Sequence, residues 1–498
     1  MWAQTHAAPP ASGSGQSDLG IGVCFPEVDG RRSTTATGRA ILADAAAADD
    51  AALAQQVLSC AQWRSDYVAL LRELTLACAD GESSLAIARA GLESMRSRLL
   101  VERAGERLRL GDALEALEPE LELGTVLFEG AQRPADALRV PFGGEELQGQ
   151  KLARQLERWV DAGSVEPSFA DAIGRVIDHP EWLSLPGRTV ALMGAAAEIG
   201  PLQPLCAWGA DVIAVDLPQP AVWQRVGETA RRGAGSVRAP ARAGSSPGLD
   251  LLRLLPEARS WLAGAARDRE LVLGMYAYAD GGPHVLLSGA FDALATDALA
   301  LRPATAVSYL ATPTDAFVVA PETVARSHAA YAARRVRRLA QAPVKLASAG
   351  RLFAPAYRHG VPVADALVKQ QGPNYALAKR LQRWRGVAAE AAGQRVSFNV
   401  APATWTRSVT KNRVLAAAYA GAHHFGVEIF RPDTTRVLMA AMLVHDLHRP
   451  PSPRSNPEAL FSDGAAHGGL WTAAYEPRSA LSVAALAGLP HALRGNGR

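Results

Sequence analysis

Cysteine is scarce in this 498-residue chain. It has only four cysteines: Cys24, Cys60, Cys78 and Cys206. No two of them form a C-x-x-C pair, the spacing that zinc ribbons and redox motifs use. A disulfide framework is therefore not expected, and the thiols are expected to be reduced and buried. The N-terminus lacks the basic and apolar regions of a secretory signal, so we expect a cytoplasmic protein.

Long apolar runs and a strong charge bias are also missing. The chain is 48% hydrophobic and 20% charged, with a formal net charge of +3. That composition is typical of a soluble globular protein, and the net charge is too small to indicate nucleic acid or an acidic membrane. The closest approach to a membrane span, residues 437–448, is shorter than the roughly 18 residues required. We therefore expect a small-molecule substrate, and neither nucleic acid nor a membrane as a partner.

Hydrophobic periodicity divides the chain into four parts. Residues 1–20 are small, polar and rich in Pro and Gly, as in a flexible tail. Residues 21–185 place apolar residues at helical spacing, which predicts a mainly helical N-terminal region. Strand and helix patterns alternate over 186–430, which predicts an open α/β domain with a parallel sheet. Residues 431–498 are predicted to form a helical and loop extension.

A strand, a glycine-containing turn, a short helix and a second strand open the α/β part. Gly194 and Gly200 bracket the turn, where glycine lets the backbone approach a phosphate and the next helix offers free N–H donors. Asp216 ends the second strand, where a carboxylate can accept hydrogen bonds from two ribose hydroxyls. Because it would repel a 2′-phosphate, we expect NAD rather than NADP as the cofactor.

Tyr375 and Lys379 lie four residues apart in GPNYALAKRLQRW (372–384), which is predicted to be helical. That spacing places both side chains on one face of a helix. A free phenol, with a pKa of about 10, is a poor base at neutral pH, and a neighbouring ammonium favours its anion. The pair is therefore either catalytic, if it lies in a cleft, or part of a solvated basic helix face.

With these motifs in this order, residues 186–430 resemble the short-chain dehydrogenase/reductase family. MGAAAEIG (193–200) is similar to its T-G-x-x-x-G-I-G turn, and YALAK (375–379) to its Y-x-x-x-K. VSFNVAPATWTRS (396–408) looks like the strand and P-G-x-x-x-T segment that follow. The resemblance implies a Rossmann-type doubly wound sheet and a cofactor site formed by Gly194, Ala195, Ile199, Gly200, Asp216, Pro402 and Thr404.

The chemistry that this resemblance implies is hydride transfer between nicotinamide and an alcohol or ketone. Tyr375 would exchange a proton with the substrate oxygen, and Lys379 would lower the pKa of Tyr375 and bind the nicotinamide ribose. The family's partner serine has two counterparts here: Ser348, which we favour, and Thr312 or Thr314, which end a predicted strand. Members of the family usually form dimers or tetramers, so a homo-oligomer is also expected.

The family's asparagines are missing, which keeps two other interpretations open. Where the family usually has N-N-A-G after its fourth strand, this chain has GMYAYADGG (274–282), and no asparagine precedes Asn374. S-adenosylmethionine-dependent methyltransferases also use a strand, a glycine-rich turn, a helix and an acid ending the second strand. A non-catalytic nucleotide-binding scaffold, whose N-terminal region binds a partner, would need no asparagine.

Three further groups of residues are candidates for a binding site or a surface. The residues following APATWT include three cations that could hold an anionic substrate or the pyrophosphate: Arg407, Lys411 and Arg413. Three aromatic residues would line a cleft or pack in the core: Tyr276, Tyr278 and Trp405. Residues 331–342 form a basic run that we expect to be a solvated helix face.

Histidines near the C-terminus do not have metal-ligand spacing. The residues concerned are His423, His424 and Glu428, and separately His445, Asp446 and His448. Neither set matches a recognised ligand frame, so solvated or capping roles, and no metal, are expected.

Overall fold

The computed structural model describes residues 20–266, 269–357, 361–450 and 454–493. The predicted flexible tail, 1–20, lies almost wholly outside the described residues.

The N-terminal region is mainly helical, as predicted. Three of its helices begin where the side-chain oxygens of Ser33, Asp50 and Asp80 accept backbone N–H bonds. Its elements are β1 (Gly22–Cys24), β2 (Glu27–Val28), β3 (Arg31–Arg32), α1 (Thr34–Ala47), α2 (Ala51–Ser59), α3 (Trp63–Ala77), α4 (Gly81–Arg98), β4 (Leu100–Arg103), β5 (Glu106–Arg109), α5 (Leu110–Ala116), β6 (Gly124–Glu129), β7 (Arg139–Phe142), β8 (Glu145–Gln148), α6 (Gly149–Asp161) and α7 (Pro167–Asp178).

The following part of the chain alternates strands and helices. Its elements are β9 (Arg188–Met193), α8 (Leu202–Ala207), β10 (Asp211–Val215), α9 (Pro220–Arg231), β11 (Ser236–Ala241), α10 (Leu255–Ala265), β12 (Glu270–Met275), α11 (Gly282–Leu301), β13 (Ala306–Ala311), β14 (Ala316–Val318), α12 (Pro321–Ala333), α13 (Arg335–Ala347), β15 (Val363–Asp365), α14 (Pro373–Ala391), β16 (Arg395–Val400), α15 (Arg407–Lys411) and α16 (Arg413–Gly421). The C-terminal extension contains α17 (Pro432–His448), α18 (Ala459–Ser462) and α19 (Pro477–Leu493).

The central sheet has seven strands in the order β16-β13-β12-β9-β10-β11-β6. All neighbours pair in parallel except β6, which pairs antiparallel with β11. Numbered along the chain, the six parallel strands have the order 3-2-1-4-5-6 of the Rossmann dinucleotide-binding fold. The predicted α/β fold class, a Rossmann-type doubly wound parallel sheet, is therefore confirmed.

Both faces of the sheet are buried, which explains why its strands are nearly continuous runs of Val, Ala, Leu and Ile. Along β9, Ala191 and Met193 contact one core, with α1, α3, α4, α11 and α14. Val190 and Leu192 contact the other core, with α6, α7, α8, α9 and α17. Helices of the N-terminal region thus cover both faces, and β6 extends the sheet, so residues 21–185 share the cores of the α/β part.

One strand, β11, lies where the sequence predicts a loop. The sequence indicates a loop over 237–248, because Pro and Gly are frequent there. In the structure β10 pairs with β11 through Arg238, and β6 pairs along all six residues of β11. Pro240 is tolerated because it lies beyond the stretch that pairs with β10.

The helix α11 is the one helix among the described residues that is long and apolar enough to cross a membrane, and 67% of its apolar window is buried inside the protein. Its Asp292 is buried and accepts hydrogen bonds from Arg96 and Arg385. It is therefore packed like a core helix of a soluble protein. Residues 437–448, which looked closest to a membrane span, form the C-terminal part of α17 and pack on β16.

Candidate functional site

The turn after β9 lies against two neighbouring strands. The amides of Gly194 and Ala195 donate to the Val215 carbonyl at 2.8 and 3.2 Å. Gly194 has a φ of +87°, and a Cβ atom there would lie 2.4 Å from the backbone of Ala277, which follows β12. The glycine is therefore required by the close approach of another loop of the protein. The sequence had suggested the approach of a phosphate instead.

Asp216 lies where a ribose could be bound, but it also holds the turn. Its Oδ2 accepts from the Ala196 amide and its Oδ1 from the Leu217 amide, both at 2.9 Å. Each carboxylate oxygen retains a second lone-pair direction. The amides of Glu198 and Ile199 donate to no oxygen within the described part of the chain. Asp216 and these two amides could hold the ribose and pyrophosphate of a dinucleotide.

Glu198 replaces a glycine of the resembled family, and its carboxylate is turned toward α15. Its Oε2 accepts from the Arg407 amide at 3.0 Å, and its Oε1 lies 3.9 Å from the Arg407 guanidinium. Its backbone carbonyl accepts from Arg436 at 2.7 and 3.1 Å. A carboxylate at a helix N-terminus is favourable. Glu198 thus links the turn to the segment that follows β16.

Tyr375 and Lys379 lie on the first turns of α14, close to the carboxyl end of β13. The Tyr375 hydroxyl is 3.3 Å from the Thr312 hydroxyl, which follows β13 and is itself 3.1 Å from the Thr314 hydroxyl. Lys379 Nζ donates to the Leu310 carbonyl and to Gln382 Oε1, both at 3.0 Å. Tyr375, Lys379 and Thr312 are all partly exposed, so this edge of the otherwise buried sheet is open to solvent.

Desolvation is the largest influence on the pKa values of Tyr375 and Lys379. It raises the pKa of Tyr375 to about 12, which the hydrogen bond with Thr312 partly offsets. Desolvation also lowers the pKa of Lys379 to about 8, against the opposing effect of the Asp315 carboxylate. Lys379 Nζ lies 6.0 Å from the centre of the Tyr375 ring. The Asp315 carboxylate raises the pKa of Tyr375 further, so in the free protein Tyr375 is a neutral phenol. The lowering of this pKa by Lys379 that the resemblance implies is not among the causes of the shift.

His284, on α11, is a residue of this site that no sequence motif indicated. Its ring stacks on that of Tyr375 at 5.7 Å and lies 5.1 Å from that of Tyr278. The residue is 1% exposed, and neither ring nitrogen has a hydrogen-bond partner among the described residues. Burial lowers the pKa of His284 to about 3, and Lys379 adds to the shift, so the imidazole is neutral.

Ser348 does not join this group. It follows α13, where its hydroxyl donates to the Lys345 carbonyl and accepts from the Leu352 amide. The hydroxyl that contacts Tyr375 is that of Thr312, which is the alternative to Ser348 in the sequence-based prediction. A strand end is held in place by its sheet neighbours, so it positions a side chain against α14 better than the turn after α13 does.

Pro402 and Thr404 follow β16, at the same edge of the sheet, and both are buried. The Thr404 hydroxyl donates to the Pro402 carbonyl at 2.7 Å and lies 2.8 Å from the Thr435 hydroxyl. Ala195 is buried and Ile199 is partly exposed. The backbone of residues 402–404 thus borders the site, while the Thr404 hydroxyl is hydrogen-bonded within the protein.

The remaining candidates have local roles. Arg407, Lys411 and Arg413 are solvent-exposed, with Arg407 beside Glu198. Tyr276 is hydrogen-bonded to Ser308, and Trp405 packs on Tyr419. His423 contacts the Ala420 carbonyl, and His448 stacks on Trp182. No group of three potential metal ligands occurs within the described ranges.

Comparison with known proteins adds no relative. No protein-family model matches the chain, and no curated protein matches it.

Proposed function

We propose that this protein is an NAD-dependent oxidoreductase of the short-chain dehydrogenase type, which interconverts an alcohol and a ketone. One observation carries the proposal. Tyr375 and Thr312 are within hydrogen-bonding distance, with Lys379 one helical turn away, at the carboxyl edge of a sheet with the 3-2-1-4-5-6 order. Ligands of open α/β sheets bind at that edge.

The protonation state of Tyr375 favours ketone reduction at neutral pH. A phenol with a pKa of about 12 is protonated there, so Tyr375 would donate its proton to the carbonyl oxygen as negative charge develops. The Thr312 hydroxyl would orient that oxygen. Lys379, which has one N–H left after its bonds to Leu310 and Gln382, would hold a ribose hydroxyl.

The residues near the turn after β9 fit a dinucleotide. Asp216 has lone pairs left for the adenosine ribose, and the amides of Glu198 and Ile199 are available for the pyrophosphate. The Glu198 carboxylate accepts from the Arg407 amide and lies 3.9 Å from the Arg407 guanidinium, whose positive charge would offset part of its repulsion of the phosphates. When bound, the nicotinamide supplies or accepts the hydride. We further propose a small-molecule substrate and a cytoplasmic setting, in which the four free cysteines stay reduced.

The first experiment is calorimetric titration of the full chain with NAD, NADP and S-adenosylmethionine. We expect NAD to bind, and Asp216→Ala to weaken that binding at least tenfold, because the ribose acceptor is lost. Arg242→Ala, a change outside the turn, serves as the control. Binding of S-adenosylmethionine alone would replace the proposal with the methyltransferase interpretation. If none of the three ligands binds, the nucleotide site is not functional and a non-catalytic scaffold becomes the favoured interpretation.

The second experiment separates the two candidate hydroxyls. Tyr375→Phe should leave NAD affinity unchanged and lower turnover by about 100-fold or more, because general acid catalysis contributes at least that factor. Thr312→Val should lower turnover and Thr312→Ser should restore it, whereas Ser348→Ala should have no effect. Retained turnover in Thr312→Val together with a loss in Ser348→Ala would reverse the assignment.

A further inference from the structure

The helix α13 exposes its apolar side. Val336, Leu339 and Leu346 are 80%, 72% and 83% exposed. With Pro343 they follow the spacing i, i+3, i+7 and i+10, which places them along one face of the helix. A surface helix of a soluble protein normally turns such a stripe toward the core. Here the stripe faces solvent, which requires an explanation.

The polar side of α13 is the side that contacts the rest of the protein. Gln341 accepts a hydrogen bond from the Tyr475 hydroxyl at 2.6 Å, and Lys345 donates to the Tyr331 hydroxyl at 3.5 Å. Arg338 stacks over the Tyr331 ring at 4.2 Å. Gln341 and Lys345, one turn apart, are the least exposed residues of the helix whose side chains are described. The helix is thus attached through its polar side and offers its apolar side outward.

The segment of the chain that carries this apolar face has charges of one sign. Between Arg334 and Arg351 the sequence has six Lys or Arg and no Asp or Glu, and the acid-free stretch extends from Thr323 to Ala364. Among the described residues, no carboxylate forms an ion pair with Arg335, Arg338 or Lys345. Arg335 and Arg338 are exposed, and their long side chains can bring the charged ends to the level at which the apolar stripe would be buried, whereas Lys345 is engaged with Tyr331.

We propose that α13 binds the surface of an anionic lipid bilayer, with Val336, Leu339, Pro343 and Leu346 among the acyl chains and its cations at the headgroups. An exposed apolar face flanked by Lys and Arg is the pattern of interfacial helices. The 13-residue helix is too short to span a bilayer, so it would lie in the surface plane.

The charges decide between a bilayer and a second copy of this chain. A twofold contact through α13 would bring Arg335 and Arg338 of one copy against the same positive surface of the other, with no acid on that stretch to neutralise them. An anionic bilayer instead satisfies the apolar stripe and the cations together. This proposal does not depend on the proposed oxidoreductase activity. It departs from two expectations drawn from the sequence, that no membrane is a partner and that residues 331–342 form a solvated helix face.

Cosedimentation with vesicles tests the proposal. The full chain should sediment with vesicles of phosphatidylcholine mixed with phosphatidylglycerol, but not with phosphatidylcholine alone, and added salt should weaken the binding. Leu339→Glu combined with Leu346→Glu should lower the partition coefficient at least tenfold. Both side chains are exposed, so the variant should fold normally, which circular dichroism would verify.

A matched variant separates this face from general charge effects. Leu127→Glu combined with Leu301→Glu makes the same change at two other exposed leucines, 52% and 64% exposed. It should keep most of the binding. The proposal is overturned if the chain ignores anionic vesicles or if both double variants lose binding equally. It is also overturned if sedimentation velocity finds a dimer that only the α13 variant abolishes, which would make a second copy the occupant.

Discussion

His284 is buried with both ring nitrogens unpartnered among the described residues, beside the aromatic ring of Tyr375. A buried donor or acceptor without a partner costs about 1–3 kcal/mol. Proteins retain such costs mostly at functional sites. The neutral imidazole can donate one hydrogen bond and accept another. It could therefore bind a substrate group or a water between Tyr375 and Lys379.

Replacing His284 with leucine should separate stability from activity. His284→Leu should raise the free energy of unfolding by about 1 kcal/mol, because it removes unpartnered polar atoms from a buried position. Turnover should fall, since the neutral donor and acceptor are lost. His467→Leu is the control: His467 is also buried, but it contacts Glu166 at 3.1 Å and accepts from the Gly469 amide. That variant should be less stable. Urea unfolding measures both, and destabilisation of both alike would contradict the prediction.

Lys379 should make stability depend on alkaline pH. Its folded pKa of about 8 lies below its ordinary value of 10.5, so the unfolded chain binds more protons between these values. The free energy of unfolding therefore rises with pH across that window. Below pH 8 the partly desolvated ammonium imposes its full cost, at most about 3 kcal/mol.

The Lys379→Met variant isolates this contribution. Its stability relative to the unchanged protein should be highest below pH 8 and should fall as pH rises to 10.5. Urea unfolding of both proteins at several pH values gives that difference, in which the titration of all other groups cancels. A constant difference over this range, or one that grows with pH, would show that the lysine is not desolvated.

At the scale of elements, buried arginines fix the helix that carries Tyr375 and Lys379. In α14, Arg383 donates to Glu458 at 2.6 Å and to the Ala316 carbonyl at 2.7 Å. Arg385 donates to Asp292 on α11 at 2.6 Å. These contacts join α14 to β14, to α11 and to the C-terminal extension. The position of Tyr375 against Thr312 therefore depends on charges far along the chain.

Replacing only one member of the Arg383–Glu458 ion pair should lower the free energy of unfolding. Glu458→Gln should lower the free energy of unfolding by about 2 kcal/mol, because the buried guanidinium keeps only the more distant Asp315 carboxylate, 3.5 Å away, as a counter-charge. Combining it with Arg383→Met should recover part of that loss, since the guanidinium is then removed and Asp315 keeps its ion pair with Arg380. Asp136→Asn, in an exposed pair with Arg139, should change stability by less than about 1 kcal/mol. Chemical denaturation of these three variants and of Arg383→Met alone measures the coupling, and additive losses would argue against it.

The helices and strands differ in how far they can be predicted from the sequence. The sequence predicts strands that begin at residues 188, 211, 270, 305 and 395, and β9, β10, β12, β13 and β16 begin within one residue of these positions. Buried parallel strands are easy to predict because they are apolar runs bounded by turns. The contact of Thr312 with Tyr375 and the burial of His284 depend on partners distant in sequence, which periodicity does not encode. The direction in which α13 turns its apolar side was unpredictable for the same reason. Amphipathicity defines two faces but not which one the protein covers.

At the scale of the whole molecule, the N-terminal region is part of the same packed unit as the α/β part. The helix α4 packs closely on α14: a Cβ atom on Gly91 would lie 2.3 Å from the Trp384 ring. On α11, a Cβ atom on Gly289 would lie 2.7 Å from the Leu99 side chain. Glycine at these two positions lets the helices approach closely. The helix that bears Tyr375 is thus covered by residues that precede the sheet.

Residues 186–498 produced alone should consequently fail to fold. The fragment would lack β6, leaving an edge of β11 unpaired, and would expose the sides of α11 and α14 that α4 covers. We expect no cooperative urea transition by circular dichroism for the fragment, and a single transition for the full chain. Gly91→Val in the full chain is a milder test, and should lower the transition midpoint without changing its cooperativity. A soluble fragment with a sharp transition and unchanged NAD binding would show that the N-terminal region is an independent domain.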